Sequence, residues 1–72
     1  MATAKGWAVV DANGINVRTI SNTRRAAIVN WLLVDKQIMA TRIASDQDIE
    51  AAWEQHHGEA YAIEVIITAV VH

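Results

Sequence analysis

The last thirteen residues, Ala60 to His72, read AYAIEVIITAVVH, with a single charge at Glu64 and neither Gly nor Pro to interrupt them. Their Val and Ile content favours a strand. A strand that is apolar on both faces needs cover on both faces. The chain has 72 residues, 53% of them hydrophobic, and a domain of this size hides only about 60% of the surface its unfolded chain exposes. One small fold cannot tuck away that much apolar material alone. The run therefore points to self-association or a docking surface, and not to a reaction.

Length allows one small domain, residues 1–72, with residues 1–5 expected to be frayed. Below about 80 residues a single core rarely supplies more than about 3–5 kcal/mol, so such chains usually need a staple. There is no Cys, which removes disulfides and thiolate metal sites and implies no oxidising compartment. Oligomerisation is the staple that remains. A formal charge of −2 is the wrong sign for a chain whose task is to coat phosphate backbone. The N-terminus, MATAKGWAVVDANG, lacks a basic region followed by a long apolar segment, so it does not read as a signal peptide. The C-terminal run is shorter than the roughly 20 residues a membrane helix needs. The expected setting is the cytoplasm, with no membrane contact.

Trp7–Asp11 reads as a strand, and Asn13-Gly14 after it is a strong hairpin signal. Ile15–Ile20 alternates, with Ile15, Val17 and Thr19 on one face and Asn16 and Arg18 on the other, as expected of a half-exposed antiparallel strand. Ser21 can cap a helix start, with Asn22 and Thr23 as rivals. Arg24–Val34 then carries Ile28, Trp31 and Leu32 at i, i+3, i+4, a core stripe. Val29 and Leu33 make a second apolar row. Asp35–Ala44 has no clear period; Ile38, Met39 and Ile43 are expected to tuck a loop against the core. Ser45 with Asp48 three residues on is a capping-box pattern that opens a second helix. Ile49, Ala52, Trp53 and His56 share its inner face, Glu50, Glu54 and His57 face water, and Gly58 closes it. The final strand follows from about Ala60 to Val71.

The order is β-β-α-α-β, which predicts an α+β two-layer sandwich: a three-stranded, mainly antiparallel sheet with two helices on one face. The last strand is expected beside the first, in a central or interface place, because its apolar length suits an open edge poorly.

Chemistry is harder to find. His56-His57 near Glu54 and Glu59 invites a metal reading. Adjacent helical residues, however, point about 100° apart and cannot both ligate one ion, and Glu54 with His57 gives only two ligands. Two imidazoles at a helix C-terminus are explained by the negative end of the dipole. No metal or other cofactor is expected. Arg24 and Arg25, with Arg18, form a basic cluster that could grip a phosphate at a helix start; structural ion pairs with Asp11, Glu64 or a second subunit are the plainer account. Trp7, Trp31 and Trp53 could stack on bases. Trp31 and Trp53, however, lie on core stripes, and Trp7 is the best interface candidate of the three. No nucleophile–base–acid set and no Gly-rich phosphate loop is visible, and Asp46 and Asp48 at a helix start are poor proton donors. The chain does not read as an enzyme.

Thr19–Leu32, TISNTRRAAIVNWL, and Asp48–Glu54, DIEAAWE, resemble short uncharacterised open reading frames of bacterial and prophage type. The resemblance implies an accessory protein of unknown function and carries no functional residue over.

Two functions follow as rivals. The first is a protein-interaction module, a homodimer or a partner of another protein, with Trp7, Val29, Leu33, Val65 and Ile67 in the interface and Arg24 and Arg25 as a polar rim. The second is a small nucleic-acid-binding accessory protein using Lys5, Arg18, Arg24, Arg25 and Arg42, which the net negative charge disfavours.

Overall fold

The computed structural model describes residues 2–69. Its elements are β1 (Thr3–Asp11), β2 (Gly14–Ser21), α1 (Arg24–Val34), a single 3-10 turn (Ala40–Ile43), α2 (Asp46–His56) and β3 (Tyr61–Thr68). The strands form one antiparallel sheet in the order β2-β1-β3. The expected β-β-α-α-β chain, an α+β fold, is what forms. The last strand lies beside the first, as expected, but β3 is an edge strand and β1 takes the centre. Val70 and Val71, expected at the end of the last strand, lie outside the described residues.

Thr3–Lys5 are not frayed. They pair with β3 in an unbroken register running from Thr3↔Thr68 to Val10↔Tyr61. The sequence distance between the two strands hides this pairing from any local reading. The hairpin also closes differently. Ala12 and Asn13 form the turn, Asp11 Oδ1 accepts from the Asn13 N–H (2.9 Å), and Gly14 pairs with Asp11 as the first residue of β2. Gly14 alone of these residues takes a positive φ (101°), the conformation glycine holds at the close of a three-residue loop. An Asn-Gly turn proper would need positive φ at Asn13 as well.

The alternation expected for β2 breaks in the middle. Val9 pairs with Asn16 and Trp7 with Ser21, so Ala8 alone faces the four residues Val17–Ile20. Within this bulge the Val9 N–H donates to Thr19 Oγ1 (2.8 Å), and the Thr19 hydroxyl donates to the Asn16 carbonyl (2.6 Å). A side-chain oxygen thus replaces the carbonyl that a regular ladder would supply, leaving no orphan donor in the core. Thr19 is 1% exposed for this reason, while Val17, expected beside it, stands out in solvent.

Thr23, not Ser21, caps α1, its side chain accepting from the Ala26 N–H (3.1 Å). Ser21 instead accepts from Asn30 Nδ2 (2.8 Å) and ties β2 to α1. The α1 helix ends through Gln37, a non-glycine at φ 52°, where the Ile38 N–H returns to the Leu32 carbonyl (3.0 Å). Ser45 caps α2 by accepting from the Asp48 N–H (3.1 Å), with Asp46 and Asp48 in the first turn. Gly58, at φ 54°, follows the last turn as expected.

Both helices lie on one side of the sheet. The core between the layers holds Val9 from the sheet, Ala60 just before β3, Ala27, Ile28, Trp31 and Leu32 from α1, and Ile49 and Trp53 from α2, closed by Ile43. Trp31 and Trp53 meet edge to face (centroids 5.3 Å apart, 75° between planes), the arrangement aromatic quadrupoles favour. Met39, expected to join Ile38 and Ile43 in the core, is exposed instead. Along its shortest axis the chain measures 17 Å, room for one helix layer, about 10 Å across, on one sheet. Among the described residues, no helix is long and apolar enough to cross a membrane.

Candidate interaction surface

Register decides which sheet residues face the helices. Paired residues in an antiparallel ladder point to the same side, and neighbours along a strand to opposite sides. Val9 and Ala62 are partners, and both touch the core. The helix side of β1 and β3 therefore carries Trp7, Val9, Ala62 and Glu64. The other side carries Ala4, Gly6, Ala8 and Val10 from β1, and Tyr61, Ile63, Val65 and Ile67 from β3. From β2 it receives Ile15, the partner of Val10, and Ile20, which points away from the Ser21–Asn30 contact. None of these ten residues is charged.

No element of the described chain covers this second face. Tyr61 is 54% and Ile15 52% exposed, with Ile20 and Ile67 also exposed and Val10, Ile63 and Val65 half-buried. The face is smooth at its centre. A Cβ on Gly6 would lie 2.7 Å from Ile67 Cδ1 and 2.9 Å from the Ser21 carbonyl oxygen. The missing side chain lets Ile67 fold flat across β1.

Of the interface residues read from sequence, Val65 and Ile67 are on this face. Trp7 is not: it lies half-buried on the helix side, against the core. Val29 and Leu33 are likewise half-buried and packed on the core, so the second apolar row of α1 is consumed by its own fold. The residues missed were Val10, Ile15, Ile20, Tyr61 and Ile63. Odd-numbered positions 61–67 are uniformly uncharged, with Glu64 in the even set, and that parity was the available signal.

The cations are spread out and largely paired. Arg24 Nη1 meets Glu50 Oε1 at 3.1 Å and Arg25 Nε meets Asp46 Oδ1 at 2.7 Å, both tying the start of α1 to α2. The partners are thus on the second helix, not Asp11 or Glu64. Lys5 Nζ lies 3.8 Å from Glu64 Oε1. Lys36 sits over the Trp31 ring, 5.2 Å from its centroid. Arg18 stands on the bulge of β2 and Arg42 on the 3-10 turn, at separate places in the fold.

His57 does not face water as expected. It is half-buried and stacked on Trp53 (centroids 5.1 Å apart, 27° between planes), and its Nδ1 is buried without a protein partner. His56 lines a shallow dip with Ile38, Arg42, Asp48 and Ala52. Among the described residues, no three His, Asp or Glu side chains gather where they could hold a metal. Compared with protein-family models, with curated proteins and with solved structures, the chain matches none of them.

Proposed function

We propose that this chain is a non-enzymatic protein-interaction module that forms a homodimer by packing the helix-free face of its sheet against the same face of a second copy. The observation that carries the reading is a three-stranded sheet face without a single charge, left open by two helices that both lie on the other side. Sheets stack about 10 Å apart with interdigitating apolar side chains. A surface complementary to itself suits a twofold contact. Three strands of this length offer on the order of 500 Å² per copy, below the roughly 800 Å² per partner of a standard interface. The face contact alone is therefore expected to be of micromolar strength.

Sedimentation velocity across a concentration series tests this, with Ile15→Glu as the probe. Ile15 is exposed and lies on β2, so the substitution leaves the core untouched and places a carboxylate on the contact face. The wild type is expected to associate and the variant to shift to smaller species. A wild type that stays monomeric at 100 µM, on the order of a hundred times the expected midpoint, sinks the reading.

Nucleic-acid binding through Lys5, Arg18, Arg24, Arg25 and Arg42 has less in its favour. Three of the five cations face carboxylates, and the remaining two stand on different elements.

A further inference from the structure

The two edges of the sheet are built differently. On the β2 side, four residues bulge against one, and Arg18 stands on the bulge. Bulges and charges are the devices that keep an edge from pairing with another chain. The β3 side has no bulge. It runs eight residues without Pro, in unbroken register with β1, and is hydrogen-bonded on one side only. Ile66, near its end, is 73% exposed on the helix side of the sheet, beyond the reach of both helices. The only charge on β3 is Glu64, two residues away.

We propose that β3 pairs antiparallel with β3 of a second copy about a twofold axis normal to the sheet. This deepens the homodimer reading and rests on it only for the second interface. Pairing about such an axis keeps the helices of both copies on one side, so paired residues must have the same parity. Four central registers then compete. Centring on Glu64 sets two carboxylates face to face, which is destabilising. Centring on Ile63 or on Ile66 leaves three residues at one end of β3 facing positions outside the strand. Centring on Val65 pairs Ile63 with Ile67 and Glu64 with Ile66, so all of β3 is used. In that register Lys5, the in-chain neighbour of Ile66, lies across Ile66 from Glu64 of the other copy, two strand spacings or about 10 Å away.

Edge pairing also supplies area that the open face lacks on its own. The two axes are perpendicular, one normal to the sheet and one in its plane. Placed so that the two axes intersect, the contacts close four copies into a dihedral tetramer with no further contact needed. Its layers are helix, six-stranded sheet, six-stranded sheet, helix.

The experiment is multi-angle light scattering and sedimentation on the full chain and three variants, with far-UV circular dichroism as the folding control. The wild type is expected at four times 7.9 kDa. Ile66→Glu faces Glu64 of the other copy while gaining Lys5 as an in-chain neighbour. It should fold and halve the mass. Ile66→Lys faces the same carboxylate with the opposite sign and should keep the tetramer, which separates register-specific pairing from loss of an apolar residue. Ile15→Glu, remote from β3, should also halve the mass, through the other contact. A wild-type dimer that Ile66→Glu leaves intact and Ile15→Glu dissolves overturns edge pairing while the face contact stands. A dimer with the reverse response upholds edge pairing and ends the face reading. Equal loss with Ile66→Glu and Ile66→Lys overturns the Val65-centred register, and a monomeric wild type overturns both contacts.

Discussion

Thr19 gives the sharpest residue-scale expectation. Its hydroxyl is the acceptor for the Val9 N–H at the centre of the sheet, so Thr19→Val keeps the shape and orphans a buried donor. That costs about 1–3 kcal/mol, whereas Thr19→Ser keeps the oxygen and should cost less than half as much. Urea denaturation of the three proteins checks this; equal losses for Val and Ser would mean that the methyl group, not the hydroxyl, holds the bulge. Gln37 offers the opposite sign. A left-handed conformation costs a residue with a Cβ roughly 1–2 kcal/mol, so Gln37→Gly should raise stability by up to about 1 kcal/mol after the greater freedom of the unfolded glycine is counted. The Arg24–Glu50 and Arg25–Asp46 pairs are largely exposed. Solvent screening leaves Arg24→Ala and Arg25→Ala below about 1 kcal/mol each, and moderate salt should shrink even that.

At the scale of elements, the helices were legible because their signals are local. Arg24–Val34 was bounded correctly from its residue types, and Ser45 was identified as a cap from its own side chain and the two acids after it. Ser45→Ala should cost about 1 kcal/mol and Gly58→Ala a similar amount, both measurable as shifts in urea midpoint. The sheet was legible only in outline. Nothing local says that Thr3–Lys5 pair with Ile66–Thr68, more than sixty positions apart, or that four residues of β2 oppose one of β1. The surface was misassigned for the same reason. Val29 and Leu33 look like a spare row on a helical wheel, but both are half-buried against the core cluster. The surplus that the composition announces sits on the sheet instead, where period two, read against Glu64, separates the covered side from the bare one.

For the molecule as a whole, one layer of helices on one sheet accounts for the whole core, and an uncharged sheet surface is what remains. Raising ionic strength should leave association unchanged or strengthen it, since no charge on the open face is there to be screened; a steep loss with salt would point to an electrostatic partner instead. The bulge in β2 has a consequence of its own. A sheet with one receptive border and one kinked border cannot lengthen beyond two molecules, because the outer rim of every pair is the kinked one. Trimming residues 17 to 19 so that β2 runs straight would give each molecule two receptive borders. Such a protein is expected to polymerise end over end into fibres visible by electron microscopy, at concentrations where the parent stays clear.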